Sequence, residues 1–271
     1  MTKKILITGA NGQLGHEMRN ALKGNNRFEC IFTDVAELDI CNTEAVKQTM
    51  ANNHIDYIVN CAAYTQVDKA EDNAELCKKI NTDAVENLAR AAADYGARMI
   101  HISTDYVFNG RGYRPYTEDM VPDPQSVYGS TKLEGEKILT DICPESIIIR
   151  TAWLYSPYGN NFVKTMLHLG EEREELSVVA DQIGTPTCAA DLAQAILVIL
   201  QADTFVPGTY HFSDEGVCSW YDFTVTIHRL AGITTCRVTP IRSDEYPSKA
   251  HRPFYSVLDL SLIHISEPTR P

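Results

Sequence analysis

The apolar run Ile5-Leu6-Ile7-Thr8 opens directly into Gly9-Ala10-Asn11-Gly12-Gln13-Leu14-Gly15, and no other stretch of the chain constrains its fold so tightly. A strand that ends in a G-x-x-G-x-x-G turn must begin a βα unit. The glycines let the chain turn sharply, let its backbone N–H groups approach a pyrophosphate, and let the following helix pack close to the strand. The N-terminus of that helix offers unpaired N–H groups and the positive end of its dipole to phosphate.

Short β-rich apolar runs recur at 5–7, 28–32, 57–59, 99–102 and 147–149, with longer helical patterns such as Ala84 to Tyr95 between them. That alternation predicts an α/β fold: a Rossmann-type doubly wound parallel sheet with helices on both faces. The near-continuous apolar character of the runs fits strands covered on both sides. The rhythm weakens after Arg150. We read residues 1–150 as a dinucleotide-binding domain and 151–261 as a smaller substrate lobe, with a helix around 191–202 packing back on the sheet. Ligands of open parallel sheets lie at the carboxyl ends of the strands, which puts the substrate between the lobes.

At 271 residues with 44% hydrophobic content the chain can bury a real core, and its formal charge of −12 argues against binding nucleic acid or an anionic membrane surface. An anionic ligand must therefore meet local positive groups. The eight cysteines form no C-x-x-C pair and read as reduced thiols of a cytoplasmic protein. No window approaches the length of a membrane span.

Tyr128-Gly129-Ser130-Thr131-Lys132 follows a Pro-x-Pro segment (Pro122, Pro124) suited to a helix entrance. Residues four apart share a helix face, so the Tyr128 hydroxyl and the Lys132 ammonium project together. A cation there is expected to favour phenolate and lower the tyrosine pKa, making it a proton donor and acceptor near neutrality. Thr104, at the end of the fourth strand, can donate to a substrate carbonyl oxygen while Tyr128 supplies the proton. His101, in the same strand, reads as a packed, hydrogen-bonded histidine. No cluster has metal-ligand spacing, and no catalytic metal is expected. Asp34, about one βα unit after the glycine turn, can accept hydrogen bonds from ribose hydroxyls and repel a 2′-phosphate, with no Arg beside it. NADH should be accepted.

Several longer runs carry a family resemblance: Asn60-Cys61-Ala62-Ala63-Tyr64-Thr65-Gln66-Val67-Asp68-Lys69-Ala70-Glu71, Ser103 to Gly110, Tyr128 to Lys132, Arg150 to Tyr155 and His251-Arg252-Pro253. With the three-and-three glycine spacing, they resemble the dTDP-4-dehydrorhamnose reductases, a branch of the extended short-chain dehydrogenases. The resemblance implies reduction of the 4-keto group of dTDP-4-dehydro-6-deoxy-L-mannose to dTDP-L-rhamnose, the last step in making a bacterial surface sugar, with NADH or NADPH. It implies cofactor contacts at Gly9, Asn11, Gly12, Gln13, Leu14 and Gly15 by the phosphates and Asp34 by the adenosine ribose. It also implies Asp39 and Ile40 by the adenine, and Ala62, Ala63 and Tyr64 after the third strand. Lys132 would hold the nicotinamide ribose beside Tyr128. Substrate contacts fall to Val67, Thr104, Asp105, Phe108 and Trp153, with Arg252 as diphosphate partner.

Some family members dimerise through carboxylates and a magnesium ion. Here Ala189 and Ala190 precede Asp191, and the acidic cluster is not evident, which leaves monomer and homodimer both open. The pattern breaks after Ser261, and residues 262–271 read as a foreign, non-native tail that carries no weight in reading the fold. Two other readings share the cofactor lobe. A sugar-nucleotide epimerase or 4,6-dehydratase would keep the Tyr-Lys pair, but a dehydratase wants Asp-Glu after the threonine, and here Tyr106 follows Asp105. A non-catalytic subunit similar to the beta subunit of methionine adenosyltransferase would keep the fold and act through a partner.

Overall fold

A computed structural model describes residues 2–266. The first half runs β1 (Lys3–Thr8), α1 (Gln13–Ala21), β2 (Phe28–Thr33), α2 (Thr43–Asn53), β3 (Tyr57–Asn60), α3 (Val67–Asp72) and α4 (Ala74–Lys78). A π-helical turn, Lys79–Asp83, leads into α5 (Ala84–Tyr95) and β4 (Arg98–Thr104). After a single 3₁₀ turn, Asp105–Val107, come α6 (Val127–Ile142) and β5 (Ile147–Thr151). The second half runs β6 (Leu154–Tyr155), α7 (Phe162–Glu172), β7 (Glu175–Val179), β8 (Ile183–Gly184), β9 (Thr187–Cys188) and α8 (Ala189–Gln201). It continues with β10 (Gly208–His211), β11 (Cys218–Ser219), α9 (Trp220–Ala231), β12 (Arg237–Ile241) and α10 (Ser261–Ser266).

Six parallel strands form the main sheet in the order β10-β5-β4-β3-β1-β2. Alternate residues of each strand feed opposite cores, as the period of a pleated strand requires. Ile5, Ile7, Val59, Ile100, Ile147 and Ile149 join Leu14 and Met18 of α1 and Leu192, Ile196 and Leu200 of α8 on one face. Leu6, Ile58, Met99 and Ile148 join Val46 and Met50 of α2, Leu88 of α5 and Leu139 of α6 on the other. The doubly wound parallel sheet is thus the architecture of the chain.

The sheet takes its sixth strand, β10, from residues 208–211, a stretch the sequence reading had assigned to the smaller lobe. The helix around 191–202 is α8, and it packs beside α1. The smaller lobe is built from the chain before α8 and after β10. Its parallel pair β7 and β12 is covered by α7 and α9 around Met166, Leu176, Val178 and Ile227. Of the stretch 262–271, expected to be a foreign tail, α10 carries Ile263, 6% exposed, into the α1/α8 core. The rest of that stretch lies beyond the described residues.

Candidate active site

The crossover between β1 and β3 is where the chain reverses direction across the sheet, and a groove opens there at the carboxyl ends of the strands. Its first part, about 550 Å³, lies over β1, β2 and β3. Its second part, about 930 Å³, lies over β4, β5 and the entrance of α6, and Gly12, Cys61 and Ala63 line both.

The glycine turn builds the floor of the first part. Gly9 has φ +64, and a Cβ there would stand 2.6 Å from the Ala62 nitrogen, so neither strain nor space permits a side chain. Gly15 serves a different end. It lines neither part of the groove, and a Cβ on it would run into the Gly9 carbonyl, so its absence of side chain lets α1 sit against the turn. Gly12 is the N-cap of α1 and brings no side chain to satisfy the first-turn N–H groups, leaving them for an anion. Asp34 accepts hydrogen bonds from the Asn11 and Val35 N–H groups (2.9 and 2.8 Å), which ties the turn to the end of β2. Asn11, Asp34, Asp39, Ile40, Ala62 and Ala63 line this part with Val35, Leu38 and Leu76.

Gln13 and Leu14 line the second part instead, and the Gln13 amide reaches across to the smaller lobe. Its Oε1 accepts from Asn161 Nδ2 (2.9 Å). Tyr64 lines neither part; the side chain of Asn81 clamps both its N–H (2.8 Å) and its carbonyl (3.1 Å). Asn81 stands in the π-helical turn, the wider coil of which brings it to this loop and to Thr131 of α6.

The Tyr-Lys pair stands where the two parts meet. Ser126 caps α6 by accepting from the Gly129 N–H (3.1 Å), and a side chain at Gly129 would strike the Tyr106 carbonyl, so the helix entrance lies hard against the loop after β4. Tyr128, Lys132 and Glu136 form a stripe at four-residue spacing along α6. Tyr128 is half-buried in the cleft wall, whereas Lys132 and Glu136 are 1% and 4% exposed. Arg150 at the end of β5 grips Glu136 with two nitrogens (2.7 and 3.0 Å). Lys132 Nζ donates to the Ile102 carbonyl (2.6 Å) and meets His101 Nε2 (3.2 Å).

The electrostatics correct one expectation. Burial pushes the Tyr128 hydroxyl above its ordinary value, and the hydrogen bond with Thr104 works the other way without reversing it. Burial likewise lowers Lys132 to about 8, against the pull of Glu136 and Cys77. In the free chain the dominant effect on both groups is desolvation, not their mutual attraction. Thr104 gives its proton to Asp105 Oδ1 (2.9 Å) and accepts from the Tyr106 N–H (3.2 Å). Burial raises the Asp105 carboxyl to about 6, with Thr104 opposing.

Of the residues expected at the sugar, Val67, Thr104, Asp105, Trp153 and Arg252 line the cleft. Phe108 does not. The 3₁₀ turn after β4 carries it inward, where it is 3% exposed and stacked on Tyr116 with centroids 4.3 Å apart, a core position. Trp153 has φ +49, rare for a side chain of its size, and its indole lies between Gly184 and Trp220. Trp220 opens α9 and stacks on Trp153 at 3.4 Å. Its only sequence signal is the capping box formed by Ser219 and Asp222. Arg252 pairs with Asp68 (2.5 Å) and also lines the cleft, as does Lys69. Among the described residues no group of three or more His, Cys, Asp or Glu could hold a metal ion, and no helix is long and apolar enough to cross a membrane.

A family model described as the RmlD substrate binding domain matches residues 3–269. The dTDP-4-dehydrorhamnose reductase of Aggregatibacter actinomycetemcomitans is 42% identical over 269 residues, covering 96% of this chain and 92% of that protein. The crystal structure of a dTDP-4-dehydrorhamnose reductase from Clostridium acetobutylicum superposes with a TM-score of 0.93 at 50% identity, covering 97% of this chain and 92% of that one. The enzyme of the same description from Bacillus anthracis, solved in complex with NADP, gives 0.94 at 41% identity, covering 98% and 94%.

Proposed function

The chain belongs to the RmlD substrate binding domain family, and from that premise we propose that it reduces the 4-keto group of dTDP-4-dehydrorhamnose to dTDP-L-rhamnose with NADH or NADPH. The observation that carries the reading is the meeting of Thr104, Tyr128 and Lys132 on one wall of the cleft, next to the glycine turn. The turn fits a dinucleotide: Gly9 lets the turn lie against the Ala62 backbone in the floor of the groove, and the uncapped start of α1 faces the same groove. Gly9, Asn11, Gly12, Asp34, Asp39, Ile40, Ala62 and Ala63 would hold the cofactor. When bound it supplies the hydride for the carbonyl carbon.

The remaining work belongs to this chain. Tyr128 donates its proton to the carbonyl oxygen, and burial keeps that proton on the hydroxyl at neutral pH until it is needed. Thr104, now hydrogen-bonded to Asp105, turns its proton toward the same oxygen and polarises it. Lys132 holds the ribose next to Tyr128. Arg252 and Lys69 supply local positive charge for the diphosphate in an otherwise acidic chain, and Val67 and the Trp153/Trp220 stack bound the sugar. Among the described residues Asp105 is the one carboxyl group lining this cleft, which favours reduction over a dehydration that needs an adjacent acid and base. Eight free thiols suit a reducing cytoplasm.

Loss of reduced-nicotinamide absorbance with enzymatically generated dTDP-4-dehydrorhamnose tests the reading, with the product identified by chromatography. Turnover to dTDP-L-rhamnose is expected. Cofactor binding without turnover would favour a non-catalytic role instead.

A further inference from the structure

A row of buried polar groups runs behind the cofactor turn, crossing from β1 through β3 and β4 to α6. Thr8, Asn60, His101 and Lys132 are each 1% exposed or less. Thr8 Oγ1 lies 2.7 Å from Asn60 Oδ1, Asn60 Nδ2 lies 3.0 Å from His101 Nδ1, and His101 Nε2 lies 3.2 Å from Lys132 Nζ. The sense of each hydrogen bond can be worked out from one end. The backbone N–H of Ala62 can only donate, and it donates to Asn60 Oδ1 (3.1 Å). The amide of Asn60 is thereby fixed with its Nδ2 hydrogens toward His101, so Nδ1 of that ring must accept. A neutral imidazole that accepts at Nδ1 carries its proton at Nε2, and that proton faces Nζ. Complete burial, the larger cause, holds His101 well below its ordinary pKa, so the ring is neutral.

Lys132 Nζ therefore meets a donor. It already gives a hydrogen to the Ile102 carbonyl (2.6 Å). An amine can do that and still accept from His101 through its lone pair; an ammonium has no lone pair. We propose that His101 is a positioning residue for the reduction: with its tautomer locked by Asn60, it presents an N–H to Lys132 and favours the neutral amine over the ammonium. The proposal rests on the role of Lys132 given above. The other groups facing Nζ pull the opposite way or not at all. Glu136, one turn along α6 and paired with Arg150, and the Cys77 thiol of α4 favour the ammonium, while the Tyr128 hydroxyl is neutral.

The row also joins the charge on Lys132 to the cofactor turn. For His101 to accept from an ammonium it would need its proton on Nδ1, facing the Asn60 Nδ2 hydrogens. Turning that amide over would set the same hydrogens against the Ala62 N–H, in the wall of the cofactor groove. The unmade bond at any step is buried and cannot be passed to water.

Two spectra of the full free chain test this. In nitrogen NMR of histidine-labelled protein, with His101 identified by its contacts to Asn60, Nδ1 should be bare and Nε2 protonated. In carbon NMR of lysine-labelled protein, Lys132 should titrate about one pH unit or more below the surface lysines, a tenfold weaker hold on its proton. In His101→Gln the side-chain carbonyl is free to turn toward Nζ. The Lys132 midpoint should then rise by about one pH unit, and the corresponding limb of the kcat/KM profile should move with it. A proton on Nδ1, a Lys132 that titrates with the surface lysines, or an unmoved midpoint in the folded variant would each overturn the proposal. If the variant does not fold, the spectra of the unsubstituted chain decide. They need no turnover, so a failed reductase assay would leave them standing.

Discussion

The two halves of the groove are made differently. Over β1 to β3 the walls come from four short stretches within the first eighty residues, three of them at the ends of strands and the fourth in α4 and the π-helical turn. Over β4 and β5 the walls come from loops as far apart as Thr65 and Arg252, and side chains from both lobes do the shaping. The first half is a local motif that any parallel sheet can present to a phosphate. The second exists only once the smaller lobe has docked.

The largest expected effect falls at the seam. Tyr128→Phe removes the proton donor while leaving the ring, so kcat should fall by about 10²–10⁴-fold with cofactor affinity little changed. Full activity in that variant, measured by steady-state kinetics, would remove Tyr128 from the mechanism.

Next comes the support shared by both halves. Arg150→Met leaves Glu136 buried, 4% exposed, with its charge unpaired. Breaking such a pair costs about 3–5 kcal/mol. Urea melts should show that loss, and because the pair anchors the helix stripe carrying Tyr128 and Lys132, both cofactor and substrate binding should weaken. Loss confined to one half would mean the stripe is held elsewhere.

Gly9→Ala addresses the cofactor half alone. The left-handed backbone at that position costs an alanine about 1–2 kcal/mol, before its Cβ meets the Ala62 nitrogen at 2.6 Å. Cofactor affinity should drop about tenfold or more in a fluorescence titration of NADH. An unchanged dissociation constant would show that the turn can relax.

The same division explains what could be read in the sequence. The strand and three-glycine turn of 5–15, the strand runs and the Tyr128/Lys132 spacing are local, and each reflects a period or a φ angle that residue types announce. Asn60, Asn81 and Trp220 act through partners far away in the chain: Asn60 through His101, Asn81 through Tyr64, Trp220 through Trp153. No spacing announces them. Phe108 was placed at the sugar by resemblance, and only the 3₁₀ turn preceding it shows why it enters the core. At Tyr128 the spacing reveals the neighbouring cation and conceals the burial, which is the stronger effect on its pKa.

The smallest effect, and the one that probes the sugar half by itself, is expected from Trp220→Ala. The indole stacks on Trp153 at 3.4 Å with planes 8° apart, and Trp153 holds a positive φ that nothing local favours. Aromatic pairs contribute about 0.5–1.5 kcal/mol beyond their buried area. Removing the partner should let Trp153 leave its place against Gly184, raising KM for the nucleotide sugar by about three- to tenfold. Cofactor affinity and the Tyr128-dependent kcat should stay near the wild-type values, because neither tryptophan lines the first half. A drop in NADH affinity equal to the rise in KM would mean that the smaller lobe shapes both halves, and the division drawn between them would fail.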